Sequence, residues 1–514
     1  MPLSISDVKS LREASAPLPA TVSPCVTSDL FKSPEALAKP KSQRLKNIFN
    51  KDAQQCQGSA LKQSASTTSH RFIPLGAGRP TADFYPWDSV TFSSTSIHND
   101  QKPATNTTAV TKFNEIYNLS TALNYGNAVG SPPLVRFFTE HTEIVHDPPY
   151  SDWAVYLSCG STAAFEVAFR VLCDRGDTVL MEEYSYPGAL EAATMMGAKL
   201  QGIPMDAQGP RPEELERILS TWDEHASRSK KPRVFYTIPS GQNPTGVTQT
   251  LERKRAIYDI AERHDLIIIE DDPYYFLRLG RNNDTPCNGD AGPGGIIRES
   301  DFLSSSIPSY LAIDKTGRVI RLDSTSKILA PGLRAGWVTA SAQIIAKLLA
   351  YQEVSTIAVN GPSQLMLWKL LDETWGHRGF FKWLEQLSQQ YRGRLNIVLK
   401  ACNQYLPKQI CSWTAPNYGM FFWISINCEK HPLNQRNEEG RANLSTSEVE
   451  DRVYKSAFEN GAQVTKGSMF YVNGDRDNKI NFRLTFASAR EQEMDQGVRI
   501  FANALREEFS LPSV

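Results

Sequence analysis

The chain has 514 residues, 40% hydrophobic and 22% charged, which is ordinary globular usage and excludes a collagenous or wholly disordered polymer. Its 55 Lys and Arg against 56 Asp and Glu leave a formal net charge of −1, which argues against a general nucleic-acid coat or a polybasic membrane binder. At about 100–200 residues per domain, the length predicts two to four domains. No apolar run approaches the roughly 18–20 residues of a membrane helix. Asp7 and Glu13 stand where a signal peptide needs an apolar core, so a cytoplasmic protein is expected. The 8 cysteines form no CxxC or Cys/His pattern, so neither a metal site nor a disulfide framework is expected.

Residues 1–40 are rich in Ser, Ala and Pro and read as a poorly ordered tail. A basic piece of helical character (KSQRLKNIFN) and a polar stretch follow, and dense globular patterning begins at Arg71. Residues 155–158 read as a strand. Gly160-Ser161-Thr162 then opens a helix with Ala164, Val167, Ala168, Val171 and Leu172 at helical spacing. Residues 234–238 (VFYTI) read as a strand before the turn PSGQNPTG, and 251–264 as a helix that His264 closes. The run 266–269 (LIII) is of the type buried on both faces and ends in Glu270-Asp271-Asp272. Repeated βα units predict a mostly parallel sheet covered by helices, with ligands at the carboxyl ends of its strands. Residues 280–300, rich in Gly, Asn and Pro, read as an inserted surface loop. Residues 376–406 read as a long helix leading into an α+β region. There Ser447 and Glu450 suggest a capping box, Gly461 a helix end, and 480–486 a strand with Ile480, Phe482, Leu484 and Phe486 on one face and Asn481, Arg483 and Thr485 on the other.

The sharpest chemical segment is Ser324-Thr325-Ser326-Lys327, with Arg334 seven residues on. A lysine near a fixed cation has a lowered pKa and suits a Schiff base, while the hydroxyls and the guanidinium suit a phosphate. Taken alone, the segment reads equally as a solvated turn. Gly160-Ser161-Thr162 lies at a strand–helix junction, where free N–H groups hold phosphates or merely make a tight turn. Asn243-Pro244-Thr245-Gly246 follows a strand end. Asp271 follows a buried strand, with Tyr274 three residues later; a carboxylate there caps a helix, faces solvent or holds a pyridinium nitrogen.

Together these segments resemble the fold type I pyridoxal-phosphate aminotransferases, and within them the fungal aromatic amino acid, kynurenine and 2-aminoadipate aminotransferases. The matching stretches are LGAGRP (75–80), LNYGNAVGSPPL (123–134), SCGSTAAF (158–165), YSYPG (184–188), PSGQNPTG (239–246), IIEDDPYYFL (268–277), RVIRLDSTSKILAPGLRAGW (318–337), NGPSQ (360–364) and NFRLTFAS (481–488). The resemblance implies an α/β fold. Residues 126–375 are its large cofactor-binding domain with a mostly parallel sheet, 376–514 the smaller α+β domain, and 41–125 a segment serving the small domain and dimer contacts. It also implies the site residues. Lys327 is the Schiff-base lysine and proton carrier, Asp271 the partner of the pyridine nitrogen, and Asn243 and Tyr274 the partners of the ring oxygen. Tyr186 stacks on the ring, and Ser161, Thr162, Ser324, Ser326 and Arg334 hold the phosphate. Tyr125 reaches the cofactor of a second copy in a homodimer, Arg483 takes the substrate carboxylate, and Gly78 lines the entrance.

The implied activity is transfer of an amino group, by ping-pong kinetics, from an amino acid, aromatic by preference, to a 2-oxo acid such as 2-oxoglutarate. Alternatives are a 2-aminoadipate, kynurenine or specialised biosynthetic aminotransferase, a lyase, decarboxylase or synthase on the same fold, a transcription regulator with an aminotransferase-like domain, or an inactive relative. Retention of Lys327, Asp271, Arg334 and Arg483 argues against the last. Thr325 stands where the family often has an aromatic residue. An acidic substrate needs a second cation, for which Arg79 and the basic residues of 41–46 are candidates.

Overall fold

Apolar runs bounded by turn residues become the strands of one seven-stranded sheet. They are β1 (Trp153–Ser158), β2 (Thr178–Glu182), β3 (Lys199–Ile203), β4 (Val234–Thr237), β5 (Ile267–Asp271), β6 (Val319–Ser324) and β7 (Gly336–Ser341). The order is β1-β7-β6-β5-β4-β2-β3. From β3 to β6 all pairings are parallel, and β7 runs antiparallel to both neighbours. Every residue of β2, β4, β5 and β6 is buried, as expected for strands covered on both faces. This computed structural model describes residues 3–19, 26–60, 75–76, 78–95, 97, 105–113, 116–280, 306–435, 445–472 and 479–512. The inserted loop expected at 280–300 lies outside the described residues, apart from Gly280.

The opening segment differs from the expected loose tail. Its helix α1 (Val8–Ala14) is tied down by Arg12, which donates to Glu140 at 2.8 and 2.7 Å and to Asp372 at 2.6 Å. Val8, Val26 and Phe31 are buried. The Lys32 ammonium donates to the carbonyls of Ser151 and Trp153. Such side chains are sparse, but each buried one contributes about 1.5–3 kcal/mol, enough to hold a short segment that has no core of its own. The basic piece 41–50 contains no helix. Ser42 bonds Asp152, and the Asn50 amide donates to the carbonyls of Arg170 and Cys173. These contacts attach 42–50 to the large domain rather than to the small one. Residues Ser89–Thr95 and Thr105–Thr111 form a separate antiparallel ribbon.

Helix α2 (Ser161–Leu172) starts directly after β1 and buries Ala164, Val167, Ala168, Val171 and Leu172. Helix α3 (Gly376–Tyr405) is the expected long connection. It leads to a four-stranded antiparallel sheet ordered β8-β9-β11-β10: β8 (Cys411–Trp413), β9 (Phe421–Asn427), β10 (Thr465–Lys466) and β11 (Lys479–Thr485). The capping box of helix α4 (Thr446–Glu459) is Ser445 with Glu448, two residues before the expected pair, and Gly461 follows its end with φ +96°. On β11, Ile480 and Phe482 are buried as expected, but Asn481 is buried too and accepts a 2.6 Å bond from Ser425. This polar face meets Tyr184, whose hydroxyl lies 3.4 Å from the Asn481 amide. No described helix is long and apolar enough to cross a membrane.

Candidate active site

The sheet's register assembles the site at the carboxyl ends of its parallel strands. Tyr236 pairs with Ile269, and Leu322 with Asp271, so alternation puts Tyr236, Asp271 and Ser324 on one face. The Tyr236 hydroxyl donates to Asp271 Oδ2 at 2.6 Å. Asp271 is buried, which pushes its pKa up to about 6 against the hydrogen bond that lowers it. Its Oδ1 and Ser161 Oγ are both buried and meet no well-aligned hydrogen-bond partner among the described residues, although the Ser161 hydroxyl is near enough to help lower the Asp271 pKa.

Beside this face, Gly160 turns β1 into α2 with φ +87°, a conformation that glycine adopts freely. An added Cβ there would lie 2.7 Å from Arg334 Nη2, so the glycine lets the guanidinium approach the helix start. Arg334 is held by the carbonyls of Cys159 at 3.1 Å and Pro331 at 3.2 Å. Ser161 and Thr162 are the first residues of α2, where unpaired N–H groups favour an anion. Ser324 and Ser326 are linked hydroxyl to hydroxyl at 3.0 Å at the end of β6. The departure at Thr325 has a structural role: its hydroxyl and N–H both donate to the Ala335 carbonyl, at 2.8 and 3.1 Å, and tie the lysine turn to β7.

Lys327 follows this turn, half-buried. Burial and the charges of Arg483 and Arg334 lower its pKa below the usual lysine value, and Asp271 opposes them. Arg483 of β11 crosses to the large domain, donating to Asn243 Oδ1 at 2.9 Å and to Thr465 Oγ1 at 3.4 Å. Its guanidinium lies over the rings of Phe421 and Phe470, at 4.5 and 4.8 Å from their centroids. Among the described residues it pairs with no carboxylate. Tyr274 is buried edge-on to Phe421, 5.6 Å between centroids. Tyr186 caps the helix Pro187–Met195, and its ring folds over Gly188, where a Cβ would come within 2.7 Å.

Two expected residues are exposed in the single chain. Gly78 is exposed, with nothing within 4 Å of an added Cβ. Tyr125 is 56% exposed. Of the candidate second cations, Arg79 is exposed in the single chain. The segment 41–46 bonds Asp152 and Thr316, which precede β1 and β6, so it lies at the amino ends of these strands, opposite the carboxyl ends where the site is.

Sequence reasoning missed Tyr236, Phe421 and Phe470. It also missed the fully buried Arg321, which meets Glu270 at 3.2 Å, Asp272 at 3.5 Å and Asp323 at 2.9 Å on the sheet's other face. Tyr236 lies in an apolar strand, and only the pairing register could have linked it to Asp271. Alternation alone could have flagged Arg321 and Asp323, two residues apart on β6.

The residues fit pyridoxal phosphate. An orphaned, buried carboxylate oxygen on Asp271 suits a pyridine N–H. A helix N-terminus with two hydroxyls and Arg334 suits the phosphate, and Lys327 suits the aldehyde. Residues 90–501 match the family of class I and II aminotransferases. The chain is 46% identical over 483 residues to the aminotransferase swnA of Arthroderma benhamiae, covering 93% of this chain and 94% of that protein. It is 36% identical to an aromatic amino acid aminotransferase of Schizosaccharomyces pombe, over 88% of this chain and 94% of that one. A crystal structure of an aminotransferase from Candida albicans superposes with a TM-score of 0.82 at 33% identity, covering 92% of this chain and all of that one. The chain belongs to the class I and II aminotransferases: it is a pyridoxal-phosphate-dependent enzyme of fold type I.

Proposed function

We propose that this aminotransferase takes the amino group of an aromatic amino acid and delivers it to 2-oxoglutarate in two half-reactions with ping-pong kinetics. The observation that carries the reading is Arg483: a cation without a carboxylate partner among the described residues, set between Phe421 and Phe470 and anchored to Asn243. A planar guanidinium of this kind takes an α-carboxylate by a two-point contact, and the rings beside it favour an apolar, flat side chain. Tyr184 extends the aromatic wall, its ring centroid 5.3 Å from those of both Trp423 and Tyr471. The similarity to an aromatic amino acid aminotransferase of Schizosaccharomyces pombe supports the same donor class.

Bound pyridoxal phosphate supplies an aldehyde that carries the amino group and a ring that withdraws electrons from the substrate Cα. The chain's own residues do the rest. Arg483 orients the donor by its carboxylate. Lys327 Nζ, with its lowered pKa, takes the Cα proton and returns it to the neighbouring carbon. Asp271, ionised at neutral pH, holds the ring nitrogen's proton. Asn243 and Tyr274 hold the ring oxygen, Tyr186 stacks on the ring, and Ser161, Thr162, Ser324, Ser326 and Arg334 hold the phosphate. Tyr125, exposed in the single chain, completes the site of a second copy in a homodimer.

The test is the visible spectrum of the holoenzyme during addition of single amino acids without an oxo-acid acceptor. Loss of the Schiff-base band with Tyr, Phe or Trp is expected. Loss with 2-aminoadipate alone would refute the aromatic reading.

A further inference from the structure

We propose that Glu182, buried at the end of β2, is a positioning residue for substrate recognition: it fixes the 242–245 turn so that Asn243 holds one side of Arg483. Met181 pairs with Tyr236, which shares the face of Asp271, so Glu182 and Thr237 point to the opposite face of the sheet. Glu182 therefore acts from beneath the site and touches neither substrate nor cofactor.

Its carboxylate is wired entirely to donors. Oε1 accepts from the Thr237 hydroxyl at 2.6 Å and Gln249 Nε2 at 3.2 Å, and Oε2 from Gln242 Nε2 at 2.8 Å and the Ile238 N–H at 3.3 Å. No ion pair to Glu182 occurs among the described residues; the Tyr310 hydroxyl reaches its neighbour Gln249, and the Tyr236 hydroxyl lies on the other face of the sheet with Asp271. The neighbours' hydrogen bonds fix the sense of each contact. Gln249 Oε1 accepts from Tyr310 at 2.7 Å, so its amide nitrogen faces Glu182. Gln242 Oε1 accepts from the Thr245 N–H and hydroxyl at 2.9 and 2.7 Å, so its nitrogen faces Glu182 as well. A buried carboxylate without a counter-ion is costly: burial pushes the Glu182 pKa up to about 7, and the four converging donors offset only part of that cost.

The geometry then runs outward. Gln242 clamps Thr245 across the turn, and Asn243 projects from between them to accept from Arg483 Nη1 at 2.9 Å. The same loop is wedged against the small domain: a Cβ on Gly241 would stand 2.5 Å from the Tyr418 backbone, and one on Gly246 2.8 Å from the Phe421 carbonyl. With one side of Arg483 fixed by Asn243, its remaining N–H groups are presented to a substrate carboxylate. The inference rests on the reading that Arg483 binds that carboxylate.

The experiment compares the Glu182→Gln, Gln242→Leu and Arg483→Gln holoenzymes by donor KM, kcat and cofactor spectrum. In Glu182→Gln only one acceptor oxygen remains, so one of the two donor pairs, Thr237 with Gln249 or Gln242 with Ile238, loses its acceptor and the network that fixes the turn must rearrange. KM for the donor is expected to rise about tenfold, with kcat within about threefold and the cofactor band unchanged. If Glu182→Gln does not fold, Gln242→Leu removes the same link and is expected to give the same pattern. An unchanged KM overturns the inference, as does parallel loss of kcat, KM and cofactor binding, which marks a purely structural role. If Arg483→Gln raises KM while the other variants do not, Glu182 is not a positioning residue and the Arg483 reading stands. If Arg483→Gln leaves KM unchanged, that reading fails and the inference falls with it.

Discussion

Tyr236 is the side chain that most directly sets the state of Asp271, and Tyr236→Phe isolates its effect. The substitution removes the 2.6 Å hydrogen bond to Oδ2 and keeps the ring packed against Phe165 and Phe169. A hydrogen bond to a charged acceptor is worth about 1.5–3 kcal/mol, which at about 1.36 kcal/mol per unit equals one to two pKa units. Starting from about 6, the Asp271 pKa in the apoenzyme moves to about 7–8. The sign follows from the group: the carboxylate is ionised above its pKa, so its hold on a pyridine N–H is present at high pH and lost as pH falls through that value. At pH 7 the ionised fraction then drops, and cofactor affinity weakens about two- to tenfold, whereas at pH 9 most of the loss is recovered. Titrating apoenzyme with pyridoxal phosphate between about pH 5.5 and pH 9 reads this directly. Unchanged affinity at pH 7, or a loss equally large at pH 9, would refute the reasoning.

Other variants test the rest of the site. Arg483→Lys keeps the charge but loses the planar fork, and steady-state kinetics are expected to show donor KM rising about tenfold with kcat less affected. Arg334→Ala removes the cation at the start of α2. Equilibrium titration is expected to show cofactor affinity falling about ten- to hundredfold, while thermal unfolding of the apoenzyme changes little because Arg334 is exposed. Gly188→Ala sets a Cβ within 2.7 Å of the Tyr186 ring. The displaced ring is expected to weaken cofactor binding and to destabilise the chain by about 1–3 kcal/mol in denaturant unfolding.

The fold was legible where single elements declare themselves. The LIII run became the buried strand β5 with Asp271 at its end, and 376–405 became one helix. Features that depend on tertiary neighbours were not legible. Ser445 and Ser447 both precede a glutamate by three residues, and pattern alone cannot choose between them; Glu450 is instead buried and accepts the Ser468 N–H at 3.0 Å. The opening segment looked loose because its anchors, Arg12 and Lys32, are single side chains that reach partners more than 100 residues away. At the site, Asp271, Asn243, Lys327, Arg334 and Arg483 could be read from motifs. Tyr236 and Glu182 could not, because their meaning lies in strand register: an isolated Tyr or Glu in an apolar strand says nothing until its cross-strand partner is known.

The most direct test of the central claim is borohydride reduction of the holoenzyme followed by peptide mass mapping, with and without prior addition of L-tyrosine. A pyridoxyl group on Lys327, absent after tyrosine has been added without an oxo-acid acceptor, is the expected result. A label on another lysine, or one on Lys327 that tyrosine leaves untouched, would contradict it.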